Sequence, residues 1–419
     1  MGKISSEATK TGEVDLLKRN QVKIFVLLVS IIAGSGSIAA QEADSVYWKE
    51  SGYAYYGYSL QTTSDSGYVV AGFMKKFGRS PRDNDALWIK FDSRGNVVWN
   101  RSFGGGMNDR TYAVDRTLDG GYVLAGETHS FGAGSFDAWL IKLGANGEKE
   151  WDKTYGGPRW DNAVDVRQTR DGGYILVGYT ESFGRGKTDV WLVKVDWQGN
   201  VEWEKTFGGE RNDRGNSVYQ TKDGGYLVAG DTESFGKGFS DIWLIKTDAR
   251  GVLLWEKTYG GDKSDRGSSA QPTRDGGIII VGDTYSFGAG YGDVWMIKTD
   301  SLGNEQWQQT YGGPKTERGS FAQQTRDGGY ILTGFVKAGR DRLSDVLLIK
   351  TDSTGGEEWR RTFGGRLPEE GFYVLQTTGG DYVLTGFTKS FTNGRSILWL
   401  IKTDDQGNEM WNNTFGGKG

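Results

Sequence analysis

The chain has no cysteine, one histidine (His129) and five prolines in 419 residues. Without cysteine there is no disulfide framework, no thiolate metal site and no cysteine nucleophile. With one histidine, a His-based triad has a single possible base, and a multi-histidine metal site cannot form within one chain. A cationic excess is also missing. Lys and Arg number 50 against 54 Asp and Glu, a formal net charge of −4, so no global basic field points to nucleic acid. No cofactor and no metal ion is expected from these residue types.

What the chain has in abundance is glycine (67) and aromatic side chains: 16 Trp, 20 Tyr and 19 Phe. Many glycines among many aromatics suit short strands joined by tight turns rather than helices. The residues also repeat. A Trp stands at 99, 151, 203, 255, 307, 359 and 411, a constant interval of 52. An aromatic-Gly-Gly tail follows each, from Phe103-Gly-Gly to Phe415-Gly-Gly. An apolar segment ending in lysine keeps the same interval, from Lys90 through Lys246 to Lys402. Seven units result; the first carries a two-residue insertion between Tyr68 and Asp85.

Each unit holds four strand-like segments. In the fourth they are A, Ser217 to Thr221; B, Tyr226 to Ala229; C, Ile242 to Thr247; and D, Leu253 to Thr258. The Asp223-Gly-Gly and Asp248-Ala-Arg-Gly turns supply the positive φ that tight hairpins need. Four short strands cannot bury both faces alone, so the units must stack. The expected fold is all-β: a seven-bladed β-propeller of four-stranded antiparallel blades with a 52-residue repeat. The periodic tryptophans, with Trp139, Trp191, Trp243, Trp295 and Trp399 on strand C, read as packing between blades, each burial being worth about 2–3 kcal/mol.

Ahead of the repeats, Lys18, Arg19 and Lys23 precede an apolar run from Ile24 to Ile32, which continues through small residues to Ala39 and Ala40. A basic region, a short apolar core and a small-residue site read as a secretory signal. Residues 1–40 are therefore expected to be a signal peptide or signal anchor and residues 41–419 a single propeller domain. A start codon upstream of the true one stays open too. The expected location is secreted or cell surface, with the membrane met only through that segment. The sequons at Asn100 and Asn412 occupy one repeat position and are compatible with glycosylation.

An apolar strand ending in glycine, a variable loop, then D-I-W-L-I-K-T-D-x-x-G-x-x-x-W over residues 241–255 resembles the blades of kelch and PQQ-type propellers. The resemblance is closest to tandem-repeat proteins of archaeal and bacterial cell surfaces and covers about residues 53–417. It departs from kelch in placing the double glycine before strand B. It lacks the eight blades and the cofactor residues of quinoprotein dehydrogenases. It implies fold and surface location and carries no activity over.

Two sets of residues are candidates for function. Asp109, Asp161, Asp213, Asp265, Glu317 and Glu369 recur at intervals of 52 in the expected D–A loops, four of them followed by arginine: Arg110, Arg214, Arg266 and Arg318. Acids at all six covalent crossovers suit a latch that accepts Arg or backbone N–H bonds at the next blade. A central ligand or cation site is the alternative. The second set lies where the repeat breaks. Blades 2 to 5 begin their B–C loops with Ser-Phe-Gly. Blade 6 has Lys337, Arg340 and Arg342, blade 7 Lys389 and Arg395, and blade 1 Lys75, Lys76, Arg79 and Arg82. These blades adjoin once the ring closes, giving a basic sector suited to an acidic glycan, surface polymer or protein; relaxed sequence at the terminal blades is the plainer explanation. Lys246 and Asp248 read as an ion pair within the blade. The function expected is a monomeric, non-enzymatic binding or structural scaffold contacting its ligand on the B–C and D–A face. The alternative is a hydrolase or lyase acting on carbohydrate through D–A carboxylates.

Overall fold

A computed structural model of the protein describes residues 53–76, 84–338 and 343–416. The N-terminal apolar segment, the Trp48-Lys49-Glu50 stretch (in sequence a further copy of the start of strand D) and four members of the basic sector (Arg79, Arg82, Arg340 and Arg342) lie outside the described residues. The described chain forms seven four-stranded antiparallel sheets, each from four consecutive strands in the order A-B-C-D. In blade 4 these are Asp213–Gln220, Tyr226–Thr232, Asp241–Thr247 and Leu253–Tyr259. Strands A of neighbouring blades touch around the axis, and strands D, with mostly exposed side chains, form the outer wall. Strands B and C of blade 4 are buried at every residue, on both faces of the sheet.

Those two-sided surfaces meet in seven apolar clusters, one at each blade interface. Between blades 3 and 4, Val177 and Leu192 pack on Val228 and Trp243. The strand D tryptophans have a second task. Trp203 lies under Gly251, in the C–D turn of the next blade, so close that a Cβ on this glycine would sit 2.6 Å from the indole. Its φ of +75° also requires glycine. The same contact recurs at the ring's seam, where Trp411 of blade 7 covers Gly95 of blade 1. There Tyr55 N–H donates to the Ser396 carbonyl at 3.0 Å. The ring is thus closed by packing and hydrogen bonds between blade 7 and strand A of blade 1, with each blade's four strands contiguous in sequence.

Strands A and B are longer than the sequence suggests. The reason is a β-bulge: Asn216 is skipped by the ladder between Gly215↔Gly230 and Ser217↔Ala229, which breaks the alternation that marks a strand. Asp213 pairs with Thr232 beyond the bulge. The periodic acids therefore open strand A instead of lying in D–A loops; in blade 6, Glu317 is its second residue. The glycine ending each apolar strand B has the same origin, because a Cβ on Gly230 would lie 1.8 Å from the Arg214 carbonyl oxygen at the bulge.

Lys246 does not pair with Asp248. Its ammonium meets the Asp223 carboxylate of the A–B turn at 2.9 Å, while Asp248 accepts the N–H groups of Arg250 and Val252 in its own turn. The meander places the A–B and C–D turns side by side, so the A–B aspartate reaches strand C, and the C–D aspartate is already engaged.

Two glycines separate steric from conformational need. At Gly260 a Cβ would lie 1.6 Å from Asp241 Oδ1, whereas at Gly276 it meets nothing and only the φ of +86° is demanding. Gly260→Ala should cost about 2 kcal/mol or more and Gly276→Ala about 1 kcal/mol, read from urea unfolding midpoints. Equal costs would refute the steric assignment.

Candidate functional site

The periodic acids are buried and surrounded by donors. Asp213 accepts the Thr232 hydroxyl and the Ser234 hydroxyl (2.6 Å), the Ser234 N–H, and the Gly209 N–H of the crossover (2.8 Å). Asp109, Asp161 and Asp265 repeat this set. Glu369 keeps the Thr388 hydroxyl and the N–H groups of Ser390 and Gly365. The arginines that follow the acids turn elsewhere: Arg110 meets Glu127 at 3.0 Å, and Arg318 donates to the Tyr285 hydroxyl at 2.8 Å. The Ser-Phe-Gly loops are thereby explained. Ser234 bonds Asp213, Phe235 packs 5.3 Å from Trp243, and Gly236 leaves room for Asp241. Blade 6 has Val336 and Ala338 where blades 2 to 5 and 7 have Thr and Ser, and Glu317 there keeps one buried oxygen without a partner.

Each acid faces a second carboxyl across a crossover glycine. At Gly208 these are Asp189 and Asp213; at Gly260, Asp241 and Asp265. Asp189, Asp241 and Asp293 each bury an oxygen with no hydrogen-bond partner. Burial pushes Asp189 above the usual carboxylate range and Asp241 up to about 6, the neighbouring acid adding to both. At the seam the equivalent residues are Ile397 and Tyr55, and Gly416 lies against the tyrosine ring.

Sequence reasoning missed the axial well. The seven bulged residues of strands A all project into one cavity of 420 Å³, within the range of ligand pockets. On blades 7, 1 and 2 they are Phe372, Tyr58 and Tyr112; on blade 3, Val164; on blades 4, 5 and 6, Asn216, Ser268 and Ser320. One arc is aromatic, with Tyr58 stacked on Phe372 at 4.5 Å, and the opposite arc is polar. Toward the A–B turns the wall holds Arg167, whose guanidinium lies 3.6 Å from Asp165, 3.8 Å from Asp115 and 4.6 Å from the Tyr219 ring centroid. Aligning the repeats would have drawn attention to this stretch, because the acid at the start of strand A recurs in six blades while the inner residues, this one among them, change class from blade to blade.

On the B–C and D–A face, Phe239 and Tyr291 are 74% and 80% exposed, and Phe183, Phe235 and Phe287 are partly so. Between them stand Arg159, Arg185, Lys187, Arg211, Lys237 and Lys263, all exposed, whose side chains make no ion pair among the described residues. Toward the opposite face the strand C lysines are engaged. Lys194 bridges Asp171 and Glu202 at 3.0 and 2.8 Å, and Lys142 and Lys350 repeat the arrangement. Of the basic sector, Lys75, Lys76, Lys337, Lys389 and Arg395 are described. Lys76 lies 5.7 Å from the Tyr53 ring centroid and Lys389 5.9 Å from that of Phe387, and Lys337 and Lys389 both act on the half-buried Glu370. Cations therefore extend well beyond blades 6, 7 and 1. His129 packs against Phe136 at 4.7 Å, and its Nδ1 is buried without a partner. Among the described residues no group of three His, Cys, Asp or Glu side chains is placed to hold a metal ion.

No family model matches the chain. A segment of 156 residues is 27% identical to the regulatory protein FlaEY of Caulobacter vibrioides, a match that takes in 33% of this chain and 16% of that protein. Among solved structures, puromycin hydrolase is similar with a TM-score of 0.51 at 11% identity, over 87% of this chain and 55% of that one. Sqt1 of Chaetomium thermophilum gives 0.49 at 11% identity, over 87% and 88% of the two chains. The β-propeller domain of the trilobed protease of Pyrococcus furiosus gives 0.47 at 13%, over 86% and 99%. At these identities the similarity is one of fold: the protein is a seven-bladed β-propeller.

The raised acid makes stability depend on pH. Because Asp241 holds its proton up to about 6 when folded and to 3.8 otherwise, folding takes up a proton between those values. Stability therefore falls as pH rises through that window. Asp241→Asn removes this titration. Its melting temperature should exceed that of the wild type at about pH 7.5, and the gain should shrink toward zero below about pH 4. A gain independent of pH would refute the assignment.

Proposed function

We propose that the protein is a non-enzymatic binding scaffold, secreted or held at the cell surface, whose B–C and D–A face takes an acidic glycan or a comparable surface polymer. The observation that carries this reading is a group of exposed cations set among exposed aromatic rings on that face. The strand C lysines are buried in ion pairs that serve the fold, whereas Arg159, Arg185, Lys187, Arg211, Lys237 and Lys263 make no ion pair among the described residues and stand among the Phe239, Tyr291, Phe183, Phe235 and Phe287 rings. Unpaired cations attract carboxylates or sulfates, and aromatic faces stack on sugar rings. The signal-like N-terminal segment and the resemblance to cell-surface repeat proteins supply the location. Against the hydrolase reading, a catalytic acid needs a free oxygen within reach of substrate; all six acids of the Asp109 series are buried, and all but Glu317 have both oxygens accepting hydrogen bonds.

Retention on immobilised polygalacturonate or heparin should be strong at low salt and decline steeply as salt rises. A triple variant, Arg185→Ala with Arg211→Ala and Lys237→Ala, should weaken binding about tenfold or more. Binding that ignores salt and these substitutions would remove the face. Polymer cleavage that is abolished by Asp265→Asn would remove the non-enzymatic reading.

A further inference from the structure

We propose that the axial well is a second binding site, separate from the polymer-binding face, and that its ligand is an uncharged polyhydroxy ring of monosaccharide size. Three observations lead there. The first is construction. Each blade uses a β-bulge to project one side chain into the well, and around the ring these side chains are aromatic on one arc and small and polar on the other. Packing needs alone would favour one solution repeated seven times, as at the Trp203 and Gly251 positions.

The second is the set of unused polar atoms. Ser269 lines the well, is 5% exposed, and its hydroxyl has no partner. Arg167 lines it too, and its Nε–H has none. Asn216 donates through Nδ2 to Asp231 and to the Gly267 carbonyl, which leaves its Oδ1 as an acceptor. Asn162 accepts the Tyr179 N–H through Oδ1, which leaves its amide hydrogens as donors. Donors and acceptors are therefore both offered along the polar arc. Hydroxyl groups, which donate and accept at once, satisfy such a set; a carboxylate or phosphate, which only accepts, does not.

The third is charge. The one guanidinium lining the well stands beside Asp165 and Asp115, so the well offers no net positive charge to an anion. Facing the polar arc, the Tyr58, Phe372 and Tyr112 rings present an apolar surface for the C–H side of a sugar ring.

The test exchanges residues between repeats, so that each substitution is one a blade already carries. Ser320→Phe copies blade 7 and Ser268→Tyr copies blades 1 and 2. Both fill the well from its polar side without altering the bulge. Saturation-transfer NMR and calorimetry on the full chain would use methyl glycosides of glucose, galactose, mannose and N-acetylglucosamine at about 10 mM, with methyl glucuronide as the charged control. We expect one-to-one binding of at least one neutral glycoside, weakened about tenfold or more by either substitution. The Arg185, Arg211 and Lys237 triple variant should leave it unchanged. No binding across the neutral panel, preference for the glucuronide, or binding indifferent to both substitutions would each overturn the proposal. Loss of glycoside binding only in the triple variant would also overturn it, by placing the sugar on the outer face.

Discussion

The structure depends on one constraint: strands B and C are apolar on both faces. A sheet of that kind cannot stand with one side in water, and four strands of seven or eight residues cannot fold over on themselves. Each blade must be covered twice, and only a closed ring covers every blade twice. The seven inter-blade clusters satisfy this requirement, and the outermost and innermost strands are freed from it. Strand D carries polar side chains outward. Strand A, bent by its bulge, can aim a residue at the axis without uncovering the core. The seam shows the constraint acting without chain connectivity. Trp411 meets Gly95 as Trp203 meets Gly251, although no crossover joins blade 7 to blade 1.

The crossovers explain why so many polar residues repeat as faithfully as the tryptophans. A chain passing from strand D to the next strand A must turn inward past the end of strand C, and it does so through a glycine held between two carboxyls. The acid on strand A is supplied with donors on both oxygens in every crossover but that of Glu317; the one on strand C is left an oxygen short in three blades. An unpaired buried carboxylate is costly, and protonation relieves that cost. The seam, which has no crossover to hold, has Ile397 and Tyr55 instead. Acid pairs and chain passage thus occur together and disappear together.

Much of this was legible in the sequence. An interval of 52 with Trp, Lys and double glycine specifies strands, turns and blade number, since each of those residues answers a demand that recurs in every blade. The bulge was not legible, because it hides a strand as an irregular stretch. With it went the ends of strands A and B, the placement of Asp213, and the well. The Lys246 partner was misjudged for a related reason. Proximity in sequence favoured Asp248, while the meander brings Asp223 nearer. The asymmetry expected in loops also lies inside strand A, where Tyr58, Asn216 and Phe372 occupy one repeat position.

The strand C lysines and the cations of the B–C and D–A loops differ in how their charge is used. On the A–B and C–D side, Lys194 and its equivalents are buried between carboxylates, and their charge is cancelled within a few ångströms. On the other side Arg185, Arg211 and Lys237 project into solvent, but the carboxyl pairs at the starts of strands A and C lie below them. Seen from more than a Debye length away, those buried acids offset the exposed cations, and the chain as a whole is slightly acidic. The face therefore gains little from long-range steering. Its affinity must come from contact, where a polymer touches the cations and the Phe239 and Tyr291 rings while the acids stay beneath the surface. The same geometry confines each site to its own chemistry: the rim offers charge without enclosure, and the axial well offers enclosure without net charge.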